Sequence, residues 1–121
     1  MEAVLVVEDH AMLRTVICDA LRGEGFAVHA AESVAEALAH LDAHTFDVAL
    51  VDVRMPNSDG FDLVEAMAER GIPTPVVMTS VAADPYSVRR CRELSVFAFH
   101  EKPFDLERLL ADVRAACALT A

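Results

Sequence analysis

The stretch Val48-Ala49-Leu50-Val51-Asp52-Val53-Arg54-Met55-Pro56-Asn57-Ser58-Asp59-Gly60 opens with four apolar residues and then places a carboxylate. An apolar run without alternation suits a strand covered on both faces. A carboxylate at the end of such a strand is costly unless a charge or a hydrogen-bond donor meets it. What meets Asp52 therefore decides what the chain can do.

Outward from this strand, short apolar runs alternate with longer amphipathic ones. Ala3 to Val7, Phe26 to Ala30, Asp47 to Val51, Pro75 to Thr79 and Phe97 to His100 read as strands. From His10 to Arg22, apolar Met12, Leu13, Val16, Ile17, Ala20 and Leu21 recur at helical spacing, and Gly23 and Gly25 supply a stop. Ser33-Val34-Ala35-Glu36 is a capping-box pattern for a second helix reaching about Ala43. Phe61 to Arg70 reads as a third helix, ended by Gly71. Asp84-Pro85 offers an N-cap and a first-turn proline for a fourth, reaching about Leu94, and Asp105 caps a last one reaching about Leu119. Five strand–helix pairs predict an α/β fold, a five-stranded parallel sheet doubly wound with helices on both faces. With 121 residues and no linker, repeat or low-complexity run, residues 1–121 read as one domain.

In such sheets, ligands bind beyond the carboxyl ends of the strands, near the switch in strand order. The predicted strand ends there carry Glu8-Asp9, Asp52, Thr79-Ser80 and Glu101-Lys102-Pro103. Three neighbouring carboxylates cannot all stay ionised unless a cation neutralises them. Mg²⁺ suits a site with few carboxylates and several retained waters, and Mn²⁺ is the alternative. Asp52 would then be ligand and nucleophile together, forming an aspartyl phosphate on a phosphoryl group. Lys102 would supply positive charge for the phosphoryl oxygens and Ser80 a hydrogen bond. The plainer reading, acids that only cap helices and solvate loops, suits each acid singly but not the set.

The rest of the composition narrows the class. With 55% hydrophobic and 25% charged residues the chain is globular, and a net charge of −10 argues against direct contact with nucleic acid. No apolar run is long enough to span a bilayer, and Met1-Glu2-Ala3-Val4 lacks the basic start of a signal peptide, so a cytoplasmic location is expected. Cys18, Cys91 and Cys117 lie in apolar-periodic segments and read as small core or semi-core residues. His40 and His44, four apart on a helix, could share a face, but no third ligand is evident and they read as exposed polar residues. His10 would lie at the mouth of the crevice.

Val4-Leu5-Val6-Val7-Glu8-Asp9, Asp52-Val53-Arg54-Met55-Pro56-Asn57-Ser58-Asp59-Gly60, Pro75-Val76-Val77-Met78-Thr79-Ser80 and Glu101-Lys102-Pro103-Phe104 together resemble the receiver domain of bacterial two-component response regulators. The resemblance runs end to end and implies a flavodoxin-like fold. It matches Asp52 to the phosphoacceptor, supplied by a sensor histidine kinase or a histidine phosphotransfer protein. It matches Glu8 and Asp9 to the acidic pair at the metal, with the backbone carbonyl of Arg54 as a further ligand. Lys102 matches the family's invariant lysine and Pro103 its neighbour, often a cis proline. The spacing from Pro75 and from Lys102 selects Ser80 over Thr79 as the switch hydroxyl, and Phe99 as the switch aromatic.

Three departures stand out. Val81 replaces the usual small residue after the hydroxyl and should narrow access to Asp52. Arg54 and Ala82 flank the path of hydrolytic water in the family, and neither orients water well, so a slow loss of the phosphoryl group is expected. Leu94-Ser95-Val96, followed by Phe97, replaces the usual Ala-Gly-Ala and thickens the face of the fourth helix, fifth strand and fifth helix. That face, with Arg89, Arg90 and Arg92 beside it, would meet a downstream protein, an output domain or a second copy in a homodimer. The resemblance implies a signalling switch and not an enzyme, with no output domain and no membrane partner. The alternatives are a degenerate receiver that only binds protein and a Mg²⁺-dependent aspartyl-phosphate hydrolase. Arg54 stands where a hydrolase wants a second acid. A flavin or nucleotide module lacks its glycine-rich loop after the first strand.

Overall fold

A computed structural model describes residues 1–55 and 58–120. Along them run β1 (Ala3–Val7), α1 (Ala11–Gly23), β2 (Ala27–Ala31), α2 (Val34–Ala43), β3 (Val48–Asp52), α3 (Gly60–Glu69), β4 (Val76–Ser80), α4 (Pro85–Glu93), β5 (Ala98–Glu101) and α5 (Leu106–Ala118). The five strands pair in parallel in the order β2-β1-β3-β4-β5, the doubly wound flavodoxin-like arrangement expected. A two-residue antiparallel ladder joins Arg54–Met55 to Ser58–Asp59 outside this sheet. Of the stretch from Val48 to Gly60, Pro56 and Asn57 lie outside the described residues.

The strands are apolar throughout because each feeds two cores. Val4, Val6, Val48, Leu50 and Val77 pack with Ile17 and Leu21 of α1 and Leu109 and Val113 of α5. Leu5, Val7, Ala49, Val51 and Met78 pack on the other face with Leu41 of α2 and Phe61, Leu63 and Met67 of α3. Each such side chain contributes about 1.5–3 kcal/mol when fully buried. β3 is buried along its whole length, so its end is a rigid mount. The expected caps form at Ser33, Asp84 and Asp105, and Asp59 caps α3 as well. Asp59 and Asp62 make the reciprocal capping box, whereas at α2 Ser33 Oγ accepts from the Glu36 N–H.

Strands β2 to β5 start and end one residue later than their apolar runs suggest. Neighbouring backbone extends the ladders past the apolar residues: the Val53 N–H donates to Thr79 O at 2.8 Å and the Lys102 N–H to Ser80 O at 2.6 Å. Cys18 and Cys117 are buried, Cys91 is half-buried, and all three are free thiols. Ser95 sits at φ 56°, in the left-handed region, a placement that costs about 1 kcal/mol for a residue with a Cβ.

The β2 edge corrects the reading of His40, while His44 is exposed as expected. Its outward carbonyls are covered by side chains: Arg22 donates to Val28 O at 3.3 Å, and His40 Nε2 lies 3.1 Å from Ala30 O, which requires a proton on that nitrogen. His40 is thus half-buried and engaged. His29 on β2, a strand position no motif marks, lies between His44 and His40, with ring centroids 4.6 and 5.4 Å away, and edge-on to Phe46. Burial, then the charges of His44, His40 and Arg22, hold His29 below its ordinary pKa of 6.5. The folded chain therefore takes up this proton less readily than the unfolded one, so the stability it contributes is present above 6.5 and is lost as pH falls below it. We expect His29→Phe to flatten the drop in urea midpoint between pH 7 and pH 5; an unchanged drop would show that His29 titrates independently of folding.

Candidate functional site

The chain leaves β1 for β2 on one side and returns to β3 on the other, so the crevice opens between the ends of β1 and β3. Glu8 and Asp9 follow β1, and Asp52 is the last residue of β3. Glu8 and Asp52 are 1% and 5% exposed, and Asp9 is half-buried. Carboxylate oxygens of all three lie within 4.8 Å of one another, the single such cluster of metal-ligating side chains among the described residues.

Lys102, just after β5, closes the cluster from the far side of the sheet. Its Nζ donates to Glu8 Oε1 at 2.8 Å and stands 3.3 Å from Asp52 Oδ2. The Lys102–Pro103 peptide bond is cis. Glu8 Oε2 accepts from the His10 N–H at 3.1 Å, and Asp52 Oδ1 from the Arg54 N–H at 3.3 Å. Arg14 of α1, outside every motif of the sequence, donates to the backbone carbonyls of Glu8 and Asp9 at 2.9 and 3.3 Å. It ties the acidic loop to α1. His10 caps that helix, its Nδ1 accepting from the Leu13 N–H, and also lines the crevice.

These contacts set the charges. Burial drives Asp52 upward, the negative charge of Glu8 adds to it, and Lys102 only partly compensates, leaving Asp52 at about 7. Burial also opposes ionisation of Glu8, but its bonds from Lys102 and the His10 N–H outweigh this and hold it low. Burial would lower Lys102, yet its hydrogen bond to Glu8 and the charges of Asp52 and Glu8 keep it raised and protonated. One cation thus serves two buried carboxylates. The donor set, three hard oxygens in short reach with one carboxylate under-neutralised, fits Mg²⁺ or Mn²⁺.

Ser80 ends β4 and is 1% exposed, with its Oγ accepting from the Ala82 N–H at 3.3 Å. Thr79 is a buried ladder residue opposite Asp52. Val81 is 63% exposed and lines the crevice with Glu8, Asp9, His10, Leu13, Asp52, Arg54 and Lys102 around a volume of about 410 Å³. Arg54 reaches across the mouth to within 3.9 Å of Asp84. Phe99 is half-buried against the α2–α3 core. A cavity of about 530 Å³ at the other end of the sheet, lined by Met1, Leu41, Phe46 and Ile72 among others, holds no comparable cluster of titratable groups, so chemistry and not size picks the site.

On the face of α4, β5 and α5, Val88 and Phe97 are exposed; Tyr86, also exposed, lies edge-on to Phe61 of α3, with Arg89 over its ring. Arg90 departs from its expected place there. It pairs with Glu65 of α3 and with Glu93, and stacks over Phe61, so it fastens α4 to α3.

The chain is 33% identical over 106 residues to the sensor histidine kinase RcsC of Salmonella typhi, and 34% identical over 113 residues to the DNA-binding transcriptional regulator NtrC of Escherichia coli. Those matches take in 88% and 93% of this chain but only 11% and 24% of the two relatives, so the chain spans a minor part of the length of either. Its backbone superposes on the chemotaxis response regulator CheY4 of Vibrio cholerae with a TM-score of 0.87, at 30% identity, covering 96% of this chain and 98% of that one. Residues 4–114, from β1 into α5, match the response regulator receiver domain, and the chain belongs to that family.

Proposed function

We propose that this receiver domain is a divalent-cation-dependent phosphoacceptor, taking a phosphoryl group from phosphohistidine on a sensor kinase or phosphotransfer protein onto Asp52. The observation that carries the reading is the convergence of Glu8, Asp9, Asp52 and Lys102, from three strand ends, around one under-neutralised buried carboxylate. A carboxylate Oδ of Asp52 attacks phosphorus; the phosphorus–nitrogen bond of the donor breaks, and the new phosphorus–oxygen bond yields the aspartyl phosphate. The donor imidazole leaves with the electron pair and takes a proton.

Lys102 Nζ, already within reach of Asp52, follows the growing charge onto a phosphoryl oxygen. Mg²⁺ or Mn²⁺ held by Glu8, Asp9, Asp52 and the Arg54 carbonyl would neutralise the phosphoryl oxygens and the acids together. Ser80 Oγ then donates to the phosphoryl group, the β4–α4 loop shifts with it, and Phe99 turns inward. The face of α4, β5 and α5, where Val88 and Phe97 are exposed, changes shape and reaches a downstream protein, an output domain or a second copy. A cytoplasmic setting suits this role; among the described residues no helix is long and apolar enough to cross a membrane.

Arg54 and Ala82 offer no acid or amide to orient a hydrolytic water, and Val81 narrows the approach. The phosphoryl group should therefore persist for many minutes in the purified protein, its removal left to a partner. The hydrolase reading is disfavoured for the same reason, since Arg54 is turned toward Asp84 where a general acid would be needed. Intact mass after incubation with Mg²⁺ and acetyl phosphate should show one added phosphoryl group on the wild type and none on Asp52→Asn. Equal labelling of the two, or no labelling even by histidine kinases, would overturn the assignment. A half-life of seconds would overturn the expectation of persistence.

A further inference from the structure

The loop from Val81 to Asp84 joins Ser80 to α4, and few bonds hold it. The Ala82 N–H donates to Ser80 Oγ at 3.3 Å, the Ala83 N–H donates to Glu101 Oε2 at 2.9 Å, and Asp84 faces Arg54 at 3.9 Å. The Glu101 bond is the shortest of the three. Glu101 ends β5 directly before Lys102 and pairs in register with Ser80. One strand end thus sends an ammonium to the acids and, from the next residue, a carboxylate to the loop.

The two loop amides are bound to groups that act in different directions. If Ser80 Oγ turns toward Asp52, the Ala82 amide must follow it or lose its partner. Ala83 is the next residue, and its bond to Glu101 resists that displacement. The Asp84–Arg54 contact is long and largely exposed and so resists less.

We propose that Glu101 is a positioning residue, a latch that holds the β4–α4 loop where Ser80 serves Ala82 and that must release when Ser80 is drawn to the phosphoryl group. This rests on the phosphoacceptor reading above and adds to it a restraint outside the acidic cluster. The latch sets how easily the loop switches, while Glu8, Asp9, Asp52 and Lys102 perform the transfer.

The test compares wild type, Glu101→Gln and Glu101→Ala in Mg²⁺ and acetyl phosphate. Glu101→Ala should accept the phosphoryl group roughly threefold faster, the scale set by one exposed hydrogen bond. Glu101→Gln keeps an acceptor oxygen and should stay near the wild-type rate; if it matched Glu101→Ala, charge beside Lys102 and not the bond would be the cause, and the latch would fall. Hydrogen exchange at the Ala83 amide supplies a readout without phosphorylation: it should quicken by a similar factor in Glu101→Ala. Unchanged exchange, or an unchanged labelling rate in a chain whose wild type is labelled, overturns the latch alone. A wild type that takes no label overturns the phosphoacceptor reading beneath it.

Discussion

Asp52→Asn should make the folded chain more stable, by about 2 to 4 kcal/mol at pH 8 in chelator, even as it removes the residue proposed to accept the phosphoryl group. The cause is the position of Asp52, 5% exposed and beside Glu8, which raises its pKa from 3.8 to about 7. Because the folded value lies above the unfolded one, the folded chain holds this proton more firmly, and stability falls as pH rises from about 4 to about 7. The full cost of the ionised carboxylate is present above 7. An amide escapes that cost, can still accept from the Arg54 N–H, and leaves Lys102 paired with Glu8. The gain should therefore shrink toward pH 4. It should shrink as well when Mg²⁺ is added to the wild type, because a cation neutralises the same charge. Urea midpoints at pH 8 and pH 5, with chelator and with Mg²⁺, decide the matter. A variant less stable than wild type at pH 8 in chelator would mean that the Lys102–Asp52 contact outweighs the crowding of acids.

Gly60→Ala should cost about 3 kcal/mol or more and loosen the site from behind. A Cβ at Gly60 would stand 2.3 Å from the carbonyl oxygen of Asp52, 2.8 Å from Val51 Cγ1 and 3.0 Å from Met78 Cε. The methionine tip can give way, but the backbone carbonyl of a fully buried strand cannot. The Gly60 N–H also donates to Val53 O at 2.7 Å, so α3 is drawn tight against the end of β3. Room for a methyl comes only by moving α3 or Asp52. Gly23→Ala is the control, with nothing within 4 Å of the added carbon and a helical position that favours alanine. Urea midpoints should fall for the first and hold or rise for the second. Mg²⁺ affinity should drop with Gly60→Ala; equal midpoints for the two variants would show that the close approach relaxes at little cost.

Much of this was legible along the chain, for a local reason in each case. Ser33, Asp84 and Asp105 marked helix starts because a capping side chain acts within three residues of itself. The strands were visible because burial on both faces leaves no polar alternation. The ends of β2 to β5 were each misplaced by one residue, since the last rungs are held by a neighbour's backbone and not by their own side chains. Asp52 is the clearest case: its charge argued for a place beyond the strand, yet Thr79 opposite keeps it in the ladder.

The sequence by itself determined the parallel doubly wound sheet, the gathering of Glu8, Asp9, Asp52, Ser80 and Lys102 at one end of it, and the membership in a family that those residues carry. These follow from hydrophobic period and from residue order, which topology converts into position. Only the tertiary structure decided that Lys102 bonds Glu8 more closely than Asp52, that Gly60 lies against the Asp52 carbonyl, that His29 slips between His40 and His44, and that Glu101 reaches Ala83. Each of these depends on tenths of an ångström between segments far apart in the chain. Periodicity carries no such distance, because it records which face a side chain is on and not which partner it meets there.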